Sequence, residues 1–308
     1  MKKNLFSLLF AAAILNATPV CIGAPTLYPV VVNGRWGFAD KSGQTVINPQ
    51  FDRAGGFVEG LAPVRMGQWG YVDATGKIAI NPQFDKADAF SDGLAVVKLG
   101  GGPGPYVPYD PRPYHPFGSG GRYGYISTDG KYAINPQFED AGAFVGGLAP
   151  VRLGGRWGFI DKTGKIVVNP QFERAQPFSE GLAAVRSGGK WGFVDKTGKL
   201  IVNPQFEDAG TLVNGLAPVR QGKHWGYIDP TEKFVINAQF DDAAAFSEGL
   251  APVRQAKHWG FIDPTGKFVI NPQFDEADPF VNGLARVKAG GRFGYINASG
   301  KYVWNPTK

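Results

Sequence analysis

An aromatic–glycine pair returns through this chain at a nearly fixed interval, and that interval constrains the fold more than any other feature. Trp-Gly stands at Trp36, Trp69, Trp157, Trp191, Trp225 and Trp259, and Tyr123-Gly124 and Phe293-Gly294 fill two further slots. From Tyr123 onward every step is 34 residues. The first step is 33, and the step from 69 to 123 is 54, which carries 20 extra residues. Self-similarity at this period marks a repeat architecture, in which a unit that cannot bury its apolar face alone stacks on its neighbours.

One repeat, 181–214, reads as three short strands and a connector. Leu182 to Arg186 is apolar and β-prone, Ser187-Gly188-Gly189-Lys190 is a tight turn, and Trp191 to Asp195 is a second strand. Lys196-Thr197-Gly198 supplies a second turn, with glycine free to take positive φ. Lys199 to Val202 is a third strand, which Asn203-Pro204 is expected to end because proline cannot donate to a ladder. Gln205 to Asn214 is a connector with room for a short fourth strand or one helical turn. Alternation puts Trp191 and Phe193 on one face and Val194 on the other. A glycine inside a strand needs a reason. The expected one is a neighbouring backbone or an aromatic ring lying against it, such as an indole stacked over the next repeat. The first strand accepts proline at Pro63, Pro150, Pro218 and Pro252, which predicts an edge strand there.

These residues, Trp-Gly-Phe/Tyr-Ile/Val-Asp followed by Thr-Gly-Lys and Asn-Pro-Gln-Phe, resemble the WG-repeat family of bacterial proteins over about 30–306. The departures are Tyr123, Phe293, Glu232 for glycine, Ala238 for proline, and the insertion. The resemblance implies β-rich tandem arrays of variable repeat number, often exported, without a common set of catalytic residues.

The fold class expected is all-β, with eight tandem three-stranded meanders of about 34 residues forming one array over 25–308. An open, solenoid-like stack is favoured. Propeller blades usually carry four strands in about 40–45 residues, and no split blade is visible to lock a ring. The alternative is a closed eight-bladed β-propeller, for which eight units is an ordinary number.

The amino terminus stands outside the repeats. Met1-Lys2-Lys3 is basic, Leu5 to Leu15 is apolar but too short to span a bilayer, and small and turn residues follow. The pattern is that of a secretory signal peptide, taken as 1–23, with a cut after Ala17 as the alternative. Cys21 raises a lipoprotein reading, but Thr18-Pro19-Val20 makes a poor lipobox. Cys21 is also the single cysteine of the chain, so a protein processed after Gly23 is expected to lack thiols. The expected location is periplasmic, cell-surface or extracellular. No other apolar stretch is long enough for a spanning helix, so an integral membrane protein is not expected. Loss of Lys2 and Lys3 lowers the formal charge from +6 to +4, with signs alternating along the chain. That does not resemble the one-sided field of a nucleic-acid binder.

No Gly-x-Ser-x-Gly, His-Glu-x-x-His or paired cysteines occur, so no enzyme, cofactor or metal site is expected. His224 and His258 are one repeat position written twice and read as turn residues; His115 sits in the insertion. Asp161, Asp195, Asp229 and Asp263 offer one acid per turn, too few for calcium, and read as turn caps through Asx-type hydrogen bonds. Arg152, Arg186, Arg220 and Arg254 end the first strand, Lys165, Lys199, Lys233 and Lys267 begin the third, and Glu139, Glu173, Glu207, Asp241 and Asp275 follow Gln-Phe. Together they predict a solvated, salt-bridged face.

Trp36, Trp69, Tyr123, Trp157, Trp191, Trp225, Trp259 and Phe293 are expected to be structural core. Symmetry breaks at the Pro- and Gly-rich insertion, about 100–120, where Tyr106, Tyr109, Arg112, Tyr114 and Phe117 form the candidate partner-binding loop, the alternative being a plain surface loop. Tyr and Arg are enriched at interface hot spots. The function expected is that of an exported, non-catalytic scaffold binding a protein or a cell-envelope polymer; the alternative is a carbohydrate or cell-wall binding module.

Overall fold

The computed structural model describes residues 27–40, 44–100, 120–281 and 283–307, with side chains described as far as 303. The signal-peptide segment 1–23 and the candidate loop residues Tyr106, Tyr109, Arg112, Tyr114 and Phe117 lie outside the described residues.

In the regular repeat, four strands form: Arg174–Ala175, Leu182–Ser187, Lys190–Asp195 and Leu200–Phe206. They are hydrogen-bonded in that order, each antiparallel to the next. Local chemistry sets the hairpins. Gly188 and Gly189 take φ of 58° and 78°, the left-handed pair that matches the twist of a two-residue hairpin. At the next turn Asp195 Oδ1 accepts hydrogen bonds from Thr197 N (2.9 Å), Thr197 Oγ1 (2.6 Å) and Lys199 N (3.0 Å). The same bonds recur at Asp73, Asp161, Asp229 and Asp263, so these carboxylates cap turns.

The Trp-Gly glycine is placed by a bulge. Trp191 lies opposite Phe206 and Phe193 opposite Val202, so the third strand carries extra residues between those pairs. The excess backbone, Asn203-Pro204, lies on Gly192. A Cβ there would stand 2.4 Å from the Val202 carbonyl oxygen and 2.7 Å from Pro204 N, closer than any real contact. The glycine therefore meets the backbone of its own sheet, not an indole of the next repeat. Asn-Pro does not end the strand, which continues to Phe206. Proline is tolerated because this strand is the sheet's edge and bulges there.

The first strand is not an edge. It sits between the two-residue strand and the Trp-Gly strand. Pro63 is opposite Tyr71, and its carbonyl accepts from Gly55 N (2.8 Å) just past the two-residue strand. The N–H that proline lacks would point to that same side, where the ladder stops, so nothing is lost.

The connector strand corrects the fold expectation. Seven sheets contain four strands and one, built on Tyr28–Val32, Arg35–Ala39 and Thr45–Phe51, contains three among the described residues. A tandem series of four-stranded antiparallel sheets is the blade pattern of a β-propeller, and the open solenoid of three-stranded meanders is replaced by that fold. Thirty-four residues suffice because the fourth strand is only two residues long.

The array divides into two compact units, split in sequence between Gln171 and Phe172. In each, one face of a sheet packs on the opposite face of the next. In the later unit Trp191, Phe193, Val202 and Phe206 pack with Ala217, Val219 and Ile228 of the following repeat. In the earlier unit Tyr125, Ile134 and Phe138 pack with Ala149, Val151 and Ile160. Polar rungs reinforce both. Ser179 Oγ donates to Leu212 O and Glu180 accepts from Asn214 N and Gly215 N; Ser91 Oγ donates to Phe144 O and Asp92 accepts from Gly147 N. Glu232, which replaces a turn glycine, keeps its left-handed φ of 69°. Its carboxylate accepts from Asn203 N (3.3 Å) in the preceding repeat's bulge. Among the described residues there is no helix, and so none long and apolar enough to cross a membrane.

Candidate functional site

The bulge register brings one row of residues together across each sheet, near the hairpin that joins the first and second strands. In the later unit Arg174 stands opposite Arg186, which stands opposite Trp191, which stands opposite Phe206. The next repeat gives Asp208, Arg220, Trp225 and Phe240, and the one after gives Asp242, Arg254, Trp259 and Phe274. The last gives Glu276, Lys288 and Phe293. In the earlier unit the corresponding inner pairs are Arg53/Arg65, Lys86/Lys98 and Asp140/Arg152.

The aromatic members are not equally covered. Trp157, Trp191 and Tyr123 are buried, Trp36, Trp69, Trp225 and Trp259 are half-buried, and Phe293 is 38% exposed. Cations lie over several rings: Arg254 Cζ is 5.9 Å from the Trp259 ring, Lys98 Nζ 5.6 Å from Tyr123, and Arg286 Cζ 4.7 Å from Phe293. Such contacts contribute about 0.5–1 kcal/mol each where exposed.

Electrostatic compensation along the row is incomplete. Lys288 pairs with Glu276 at 2.8 Å and Arg286 with Asp278 at 2.7 Å. By contrast Arg254 reaches Asp242 only at 3.5 Å, and Arg186 reaches Glu173 only at 3.7 Å. Arg220 makes no ion pair among the described residues. The Nε atoms of Arg186, Arg220 and Arg254 are all buried without a hydrogen-bond partner there. A buried donor left unmade costs about 1–3 kcal/mol, and more when charged, so three in successive repeats is a pattern to explain. The acids following Gln-Phe are occupied otherwise: Glu139, Glu173 and Glu207 accept from hairpin amides of Gly155, Gly189 and Gly222. Lys190 Nζ also donates to Glu207 at 2.6 Å. His224 and His258 are exposed at hairpin tips. Among the described residues no cluster of His, Cys, Asp and Glu has metal-ligand geometry.

Burial raises the carboxyl groups of Asp140, Asp208, Asp242 and Asp278. Asp140 is pushed up to about 6, against a hydrogen bond from Ala141 N and the charges of Lys86 and Arg152. An unfolded aspartate titrates near ~3.9, so the folded state holds this proton more tightly. Asp140 therefore lowers stability as pH rises from about 4 to about 6, an effect on the order of 3 kcal/mol that is complete above that window. Asp140→Asn is expected to flatten thermal stability over that window; an unchanged profile would contradict this. The turn acids run the other way. Side-chain hydrogen bonds from Thr163, Thr197, Thr231 and Thr265 lower Asp161, Asp195, Asp229 and Asp263. Their contribution is present above the unfolded aspartate value and lost as pH falls through their lowered ones.

The inner charged position was hidden in the sequence. Arg53, Lys86, Asp140, Arg174, Asp208, Asp242 and Glu276 read as part of a connector. Their signal is that a charged residue of either sign stands there, always followed by alanine.

The family model described as "WG containing repeat" matches residues 36–68, 69–102, 123–157, 157–191, 191–223, 225–257 and 259–292. No curated protein matches the chain. Among solved structures, a eukaryotic initiation factor is similar with TM-score 0.59 and 11% identity, over 92% of this chain and 85% of that one. The dihydro-heme d1 dehydrogenase NirN, solved in complex with DHE, is similar with TM-score 0.53 and 13% identity, over 96% of this chain and 77% of that one. At these identities the likeness shows the fold alone, and the fold is a β-propeller.

Proposed function

From a chain that belongs to the WG containing repeat family and folds as a β-propeller, we propose an exported, non-catalytic scaffold that binds a protein partner in the cell envelope or outside the cell. The observation that carries this reading is the row of cations and half-buried tryptophans repeated at the hairpin end of successive sheets. Tyr, Trp and Arg are the residue types that dominate interface energetics, and a repeat fold offers them at regular spacing. Export is supported by the basic and apolar amino-terminal pattern and by the absence of any cysteine after Cys21.

The partly exposed faces of Trp36, Trp69, Trp225 and Trp259 also suit stacking on sugar rings, which keeps a carbohydrate-binding module as a second reading. Affinity capture from envelope extract separates the two. The protein reading expects one or a few proteins retained by the wild-type chain and lost in high salt, because rim charges are screened. Retention of peptidoglycan or polysaccharide in place of protein would favour the second reading. Hydrolytic turnover by the purified chain would overturn both.

A further inference from the structure

We propose that the row formed in the later unit by Arg186, Arg220 and Arg254, with Asp208 and Asp242 between them, is a docking site for an acidic, mixed-charge peptide segment of a protein partner. This rests on the scaffold reading and names the chemistry of what the scaffold holds.

Three observations converge. The first is placement: one arginine per repeat occupies the same position at the hairpin end, each opposite a tryptophan of the second strand. The second is unmet demand. The Nε of each of these three arginines makes no hydrogen bond among the described residues: Arg186 Nε has only the Glu173 carboxylate at 3.7 Å, Arg254 reaches Asp242 through a terminal nitrogen at 3.5 Å, and both side chains keep more than a third of their surface exposed. A guanidinium presents a planar fork that a carboxylate fills bidentately. The Nε atoms themselves are closed to solvent, so an incoming carboxylate is met by the exposed part of each guanidinium, which Asp208 and Asp242 leave open. The third is the balance of charge. The pairs 174/186, 208/220, 242/254 and 276/288 set five cations against three acids, so the row attracts anions overall.

The interleaved acids select among anions. A nucleic acid, a polyphosphate or a polyuronate carries uniform negative charge and would be repelled at Asp208 and Asp242. A peptide can set glutamates against the arginines and a lysine or backbone amides against the aspartates. The half-buried faces of Trp225 and Trp259 add apolar contact beside the charges.

The test is fluorescence anisotropy with a labelled synthetic peptide of glutamates spaced by serine and lysine, at low salt, using the full chain. Wild type is expected to bind. Arg220→Gln is expected to weaken binding about tenfold or more, and Arg220→Lys by less, since charge survives but the fork does not. Asp208→Asn is expected to tighten binding of an all-glutamate version of the peptide, a gain that misfolding cannot imitate. Equal affinity across these variants overturns the proposal. So does arginine-dependent binding of polygalacturonate with no binding of either peptide. Envelope capture separates the levels: a protein retained equally by wild type and by Arg186→Gln/Arg220→Gln/Arg254→Gln refutes this row while the scaffold reading stands. Capture of no protein by wild type overturns both.

Discussion

Gly192→Ala is expected to destabilise the protein by about 3–5 kcal/mol, at the top of the range for a single substitution. The added methyl would stand 2.4 Å from the Val202 carbonyl oxygen and 2.7 Å from Pro204 N. Both are backbone, so no side-chain rotation relieves the overlap. Either the bulge opens, separating Phe193 from Val202, or the Trp191/Phe206 pairing slips. The same collision waits at Gly158, Gly226 and Gly260, where a Cβ would meet a bulge carbonyl at 2.4–2.5 Å. By contrast Gly181→Ala, where no atom lies within 4 Å, disturbs only the backbone preference of a residue at φ 85°. It is expected to cost about 1–2 kcal/mol. Chemical denaturation of the pair checks the ranking; a Gly192→Ala protein as stable as Gly181→Ala would show that the bulge does not rest on Gly192.

Trp191→Ala is expected to cost about 3–5 kcal/mol, and Phe293→Ala under about 1 kcal/mol. The two residues hold the same repeat position. Trp191 is 8% exposed within a cluster reaching Ala217, Val219 and Ile228 of the next repeat, so truncation empties space between two sheets. Phe293 is 38% exposed and lies under Arg286 and Lys288 instead. Trp225 and Trp259, half-buried, are expected to fall between. Unfolding midpoints for the four alanine variants test this order. Equal effects would mean that the motif position matters irrespective of packing.

Much of this fold was legible because its punctuation is chemical. Glycine pairs, Asp-x-Thr-Gly and Asn-Pro each impose a backbone shape, and the strands fell where these residues left room. The connector strand was not legible: two residues are too few to show a period of two, and charge followed by alanine is not a strand signal. The choice between an open stack and a propeller leaned on that strand, beside the lack of a visible split blade, so it went the wrong way. The role of the glycine was half visible. A close backbone was expected, but its source depends on register, and register across a bulge cannot be counted from sequence. The site was hidden for the same reason. Arg220 and Trp225 were each singled out, but that they share a row with Asp208 follows from pairing on both sides of the first strand. The expected partner loop, 100–120, falls almost wholly outside the described residues, and the paired ends Leu99 and Arg122 bracket it.

Residue-resolved amide hydrogen exchange tests the four-stranded repeat most directly. The connector amides of Glu207 and Gly210 donate to Arg220 O (3.0 Å) and Pro218 O (2.8 Å), and Ala244 donates to Pro252 O (3.0 Å). If the connector is a true fourth strand, these amides exchange as slowly as those of the Trp-Gly strand beside the same ladder. If they exchange at the rate of the exposed hairpin tips, the repeat is a three-stranded meander with a loose connector, and the propeller blade is wrong.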